Sequence, residues 1–142
     1  MNWFAKKKVL VPVDFSDKSF AAVDSALELV KSASDITVVY ILPDLSPMEP
    51  GEIWHTVDPE SRMQHAVKAL RERLADEKYK GIHFDVAIGD PGHEITKIAE
   101  REETELIVLP SHGRTGLKRM LIGSVAERVV RLAHCPVLVL RT

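Results

Sequence analysis

The chain has 142 residues, 45% hydrophobic and 28% charged, with a formal net charge of −2 at pH 7. That balance reads as one soluble globular domain over residues 1–142, able to bury about 70% of its unfolded surface. It excludes general attraction to nucleic acid or acidic membranes, and no apolar run approaches the roughly 20 residues of a membrane span.

The start, Met1-Asn2-Trp3-Phe4-Ala5-Lys6-Lys7-Lys8, places basic residues after a very short apolar patch, the reverse of a secretory signal. Lys8 to Val13 predicts a first strand that ends at Asp14. Phe20, Val23, Leu27 and Val30 recur at helical spacing through Lys31, and Ile36 to Leu42 predicts a second strand. The connection from Pro43 to Asp58 carries Pro43, Pro47, Pro50 and Gly51, and closes on Asp58-Pro59, an N-cap followed by a proline suited to the first helical position. Met63, Ala66, Val67, Leu70 and Leu74 form the inner face of a second helix, which Gly81 closes before a strand from His83 to Ile88. Asp90-Pro91 starts a third helix on Ile95, Ile98 and Ala99. Leu106 to Leu109 is a fourth strand, Ser124 to Ala133 a fourth helix stopped at Cys135-Pro136, and Val137 to Leu140 a fifth strand.

Alternating helices and near-continuously apolar strands predict an α/β fold: a doubly wound, Rossmann-like three-layer sandwich on a five-stranded parallel sheet. Each parallel pair needs a right-handed crossover, which puts helices on both faces. Ligands of such sheets sit beyond the carboxyl ends of the strands, where strand order reverses. Periodicity leaves both the order 3-2-1-4-5 and the flavodoxin-like 2-1-3-4-5 open. In the first, Asp14 and the loop after the fourth strand flank one crevice.

That loop, Pro110 to Ser124, is the most informative stretch. It ends where Ser124 and Glu127 form an S-x-x-E capping box, so it reads as strand, glycine-bearing loop and helix start. Amides at a helix N-terminus point outward, and glycines let a phosphate approach the main chain. It is not a Walker loop, because its one lysine, Lys118, follows Leu117 and Gly123 leads straight into Ser124. Nor does the first strand, ending Val11-Pro12-Val13-Asp14, run into a Gly-x-Gly-x-x-Gly fingerprint.

Gly113, nine further residues and Gly123-Ser124 do resemble the nucleotide loop of the universal stress protein family, Gly-x2-Gly-x9-Gly-Ser/Thr, with Pro110 standing where the first glycine belongs. Val9 to Asp14 with Ser16 resembles the family's opening strand, Gly89-Asp90-Pro91 through Glu94-Ile95 its middle signature, and Val125 to Arg141 its ending. The resemblance implies the order 3-2-1-4-5, ATP with Mg2+ as ligand, a nucleotide-responsive role in stress, and a homodimer joined through the fifth strand. It also implies roles by position. Pro12, Val13 and Asp14 would lie at the nucleoside, with Asp14 accepting from ribose or base, and Ile41 against the adenine ring. Gly113, Gly123, Ser124 and Val125 would contact phosphates. Pro110, Ser111, His112 and Gly116 complete the loop, where His112 when protonated would add positive charge and Gly116 would keep the chain close to the ligand.

Each role has a plainer counterpart. Asp14 also suits capping of a helix beginning near Asp17, Ile41 a strand core, Ser124 the capping box alone, and Gly116 a turn. Arg114, Lys118 and Arg119 read as solvated surface. Pro110 lacks the N–H that a glycine would offer. The alternative function is a dimeric stress-response interaction module without nucleotide.

Enzyme readings are weaker. Ser111 and His112 are adjacent without a Gly-x-Ser-x-Gly elbow, no carboxylate or histidine stands out as a base, and no enzyme activity beyond slow ATP hydrolysis is expected. The six histidines have no metal-ligand spacing. Nucleotidyl transferases and electron-transfer flavoproteins share the layered fold, but His-x-Gly-His and Lys-Met-Ser-Lys-Ser are both missing from this chain. Cys135, the single cysteine, permits no internal disulfide and agrees with a cytoplasmic location; it reads as a small buried residue. Trp3, Phe4, Met48, Ile53 and Trp54 put apolar groups in segments expected to be exposed. In the fifth strand, Val137, Leu138, Val139 and Leu140 lack a protecting charge or proline until Arg141, and such an edge invites pairing with a second copy.

Overall fold

Five strands form one sheet: β1 (Val9–Val13), β2 (Ile36–Leu42), β3 (His83–Ile88), β4 (Leu106–Pro110) and β5 (Val137–Leu140). The structure is a computed structural model and describes residues 5–44, 58–112 and 122–141. Every strand pair is parallel and the order is β3-β2-β1-β4-β5, so the order implied by the family resemblance is the one observed.

Four helices connect them: α1 (Asp17–Leu27), α2 (Pro59–Arg73), α3 (Pro91–Arg101) and α4 (Ser124–Leu132). Side-chain periodicity along β1 separates two cores. Val9, Val11 and Val13 point into a cluster with Phe20, Val23 and Leu70 under α1 and α2, whereas Leu10 joins Ile95, Ile98, Leu109 and Val129 under α3 and α4. Burial of each such aliphatic side chain contributes about 1.5–3 kcal/mol. No described helix is long and apolar enough to cross a membrane.

The predicted helix through Lys31 stops earlier, at Leu27. Glu28 caps it, and the β-branched Val30 leaves the helix to bridge Lys6 in parallel. Past α2, a short 3-10 turn carries Tyr79, whose hydroxyl donates to Asp24 of α1 at 2.6 Å and so ties that turn to α1.

Proline in a central strand normally costs a ladder hydrogen bond. Pro12 of β1 escapes the penalty on one side because β1 pairs with β4 only at Val9 and Leu10, while its pairing with β2 continues to Val13. β1 and β4 have already parted where the N–H is missing. The crevice at the strand-order reversal opens there.

Candidate functional site

On the β1 side of that crevice the chain turns sharply. Phe15 takes a left-handed φ of 65°, unusual for a bulky residue. Its ring meets Tyr40 at 4.9 Å and Phe20 at 5.7 Å, both edge-on, contacts that offset part of the backbone cost of about 1–2 kcal/mol. The turn brings Ser16 to the N-cap of α1, where its hydroxyl accepts from Ser19 N–H at 3.2 Å. Asp14 is therefore not the cap. Its Oδ1 accepts from the N–H of Ser16 at 3.0 Å and from the Ser16 hydroxyl, and its own N–H donates to Ser19 Oγ at 3.3 Å. Asp14 is half-buried at the end of β1; Pro12 and Val13 are buried behind it. Ile41 is also buried, in the core beneath α3 and α4.

On the β4 side, Pro110 is buried as the last strand residue, opposite Leu140 of β5. Ser111 comes next and is 3% exposed; its N–H donates to Leu140 O at 2.7 Å, and its carbonyl accepts the N–H of Gly123. Ser111 Oγ lies 3.2 Å from His112 Nδ1, so these neighbours do meet side chain to side chain, but the serine is enclosed at the strand end. Gly113 and Gly116, with Arg114, Lys118 and Arg119, lie outside the described residues, as do Trp3, Phe4, Met48, Ile53 and Trp54.

The start of α4 differs from the predicted capping box. Gly123 is the N-cap, at an extended φ of −73° and ψ of 165°, and, having no side chain, it makes no side-chain cap hydrogen bond of its own. Ser124 is already the first helical residue and is exposed, as is Val125. Glu127 N–H donates to Gly123 O at 2.9 Å, while the Glu127 carboxylate pairs with Arg131 at 2.8 Å. The cause is tertiary. Gly123 N–H is drawn to Ser111 O, which begins the helix one residue earlier than the side-chain pattern indicates. The first-turn amides of α4 therefore receive no carboxylate or hydroxyl from their own cap residue.

The other three starts are closed by their own chain. Ser16 caps α1, Asp58 accepts from Glu60 N–H at the start of α2, and Asp90 accepts from His93 N–H at the start of α3. The Asp90 carboxyl is held below the ordinary carboxylate range, first by the His93 N–H and then by the Arg128 guanidinium. Sequence reasoning missed the partners of this residue. Gly92, in the first turn of α3, packs against Arg128 so closely that a Cβ there would lie 2.5 Å from Arg128 Cδ. The available signal was the glycine itself, a poor helix former placed straight after an Asp-Pro start.

Among the described residues, no three His, Cys, Asp or Glu side chains converge as a metal site would require. The Cys135 thiol is half-buried, and burial pushes its pKa up, away from reactivity.

The comparisons agree with this architecture. The chain is 38% identical over 141 residues to a universal stress protein of Methanocaldococcus jannaschii, MJ0531, covering 95% of this chain and 82% of the relative. It superposes on universal stress protein UspA from Lactobacillus plantarum with a TM-score of 0.77 at 28% identity, covering 96% of this chain and 99% of the other. Two solved structures of lower identity share the fold. One is a universal stress protein in complex with cAMP (22% identity, TM-score 0.68, 96% and 97% covered), and the other is a family member from Arabidopsis thaliana with AMP bound (21%, 0.59, 95% and 91%). The model of the universal stress protein family matches residues 6–141, and the chain belongs to that family.

Proposed function

We propose that this chain binds an adenine nucleotide, ATP with Mg2+, in the crevice between the carboxyl ends of β1 and β4, and acts as a nucleotide-responsive stress regulator in the cytoplasm. The observation that carries the reading is the start of α4. Gly123 gives that helix a cap with no side chain beside the very strands where the sheet order reverses, so a negatively charged group supplied from outside is the natural complement. Adenine nucleotides bound to relatives of the same fold, cAMP in one and AMP in another, agree with it.

In this reading Asp14 accepts from the ribose or base, with Pro12, Val13 and Ile41 as the apolar backing. Gly113, Gly123, Ser124 and Val125 contact the phosphates, with Ser111, His112 and Gly116 shaping the loop around them. The Ser124 hydroxyl is not spent on capping α4, which leaves it suited to donating to a phosphate oxygen. Mg2+ would be held chiefly by phosphate oxygens and water, its usual company, and would neutralise phosphate charge. The edge of β5, where Leu138 is 38% exposed, serves to pair two copies across a two-fold axis.

One observation favours the second reading, a dimeric interaction module without nucleotide: Pro110 sits buried in the β4 ladder and offers no N–H to a ligand. Calorimetric titration with Mg·ATP and mass analysis of small molecules released from the purified protein separate the two. Heat of binding that disappears in Gly123→Val, with the fold intact by circular dichroism, supports the nucleotide reading; silence in both assays supports the module. Sedimentation at micromolar concentration tests the dimer, and a monomer there would contradict it.

A further inference from the structure

We propose that Asp90, Gly92 and Arg128 form a clamp that positions the start of α4, and through it sets how tightly the phosphates of the nucleotide are gripped. The proposal rests on the adenine-nucleotide reading above and adds to it the residues that act at a distance.

Ala126 and Val129 bury against the core shared with Ile95 and Ile98 and hold α4 to α3 and the sheet. The directional contacts are polar and steric. A Cβ at position 92 would lie 2.5 Å from Cδ, 2.7 Å from Cγ and 2.8 Å from Cβ of Arg128, so only glycine lets the arginine stem lie across the first turn of α3. The guanidinium then reaches Asp90 Oδ2 at 2.9 Å. That same oxygen accepts the His93 N–H at 3.0 Å. One carboxylate oxygen thus joins the first turn of α3 to a side chain of α4.

Both side chains of the pair are about half exposed, 49% for Arg128 and 50% for Asp90, and an exposed ion pair adds little to stability. Its worth is geometric. Arg128 stands one helical turn from Ser124 in a helix of nine residues, so a shift at Arg128 is carried to the first-turn amides almost undiminished. The second fixed point is Gly123 itself, tied to Ser111 O. Two points, a turn apart, set both the axial position and the roll of α4.

The test is calorimetry of the wild type, Asp90→Asn and Gly92→Ala, each with Mg·ATP and with adenosine. Asparagine keeps an N-cap acceptor for α3 while removing the charge that holds Arg128. If Asp90 were only a negative charge near the phosphates, its removal would strengthen ATP binding; as part of a clamp, its removal weakens it. The expected result is a loss of ATP affinity of about threefold to tenfold in Asp90→Asn and about tenfold or more in Gly92→Ala, with adenosine affinity unchanged in both. Unchanged or stronger ATP binding in Asp90→Asn overturns the clamp, and so does an equal loss for ATP and adenosine, which would mark a general effect on the fold. Should Gly92→Ala fail to fold, Asp90→Asn decides. A wild type that binds neither ligand removes the nucleotide reading and the clamp with it, whereas a wild type that binds ATP no better than its variants removes the clamp alone.

Discussion

Helices α3 and α4 lie side by side on one face of the sheet and both begin at its carboxyl edge, yet they begin in opposite ways. α3 starts on Asp90, whose carboxylate is already engaged by a first-turn amide and by Arg128. α4 starts on Gly123, which has no side chain to offer. A helix start that carries its own anion has answered its dipole; one whose cap has no side chain is where the proposed reading puts a phosphate. The contrast teaches that the position of a helix terminus in a doubly wound fold is not enough to mark a ligand site. What differs between these two is whether the cap residue brings a side chain of its own.

The sharpest way to break this contrast is to make α4 begin like α3. Gly123→Asp places a carboxylate at an extended backbone position that suits an N-cap, but at a buried residue, so thermal unfolding first has to show that the fold is kept. Mg·ATP affinity should fall by about a hundredfold or more through loss of amide donation and added like charge, as calorimetry would register. Retained affinity in this variant would mean that the α4 start is not where phosphate binds.

The contact between the two helices is next in size. Gly92→Ala should cost about 1–3 kcal/mol in denaturant unfolding, since the new Cβ must displace the Arg128 stem. A cost near zero would show that the helices part without penalty. Asp90→Ala should cost about 1 kcal/mol from the lost cap. Its pH signature is also defined. Because the folded carboxyl is held below its ordinary pKa, its stabilisation is present above the ordinary carboxylate range and fades as pH falls through the lowered folded value. The variant should therefore lose stability less steeply in acid than the wild type, by a small margin because the group is exposed.

A control lies on the opposite face, away from both helix starts. Burial, and then the hydrogen bond to Asp24, push the Tyr79 phenol above its ordinary pKa. Its contribution is present below about pH 10 and is lost as pH rises through the raised folded value. Tyr79→Phe should cost about 1 kcal/mol at neutral pH, flatten the alkaline limb of the stability curve, and leave ATP affinity untouched.

Much of this was legible in the sequence because it is locally encoded. Asp58-Pro59 and Asp90-Pro91 begin helices where they should, since capping needs only residues a few positions apart. The five strands appear where β-branched runs predict them, with shifts of one residue at β1 and β4. The strand order was not in the periodicity, and came from the family resemblance. What escaped was set by contacts distant in sequence. The start of α4 moved from the capping box because Gly123 answers to Ser111. The left-handed turn at Phe15 depends on Tyr40, a neighbour only in the folded sheet. The clamp on Arg128 needs a carboxylate from another helix, which no window along the chain could hold.

Ser111 has a consequence of its own. Its amide is fastened to the outermost strand and its carbonyl to the helix that follows, so a single residue works like a hinge pin through two leaves. The rim of the sheet and the cap of that helix are thus joined through backbone hydrogen bonds of one residue, apart from the hydrophobic layers.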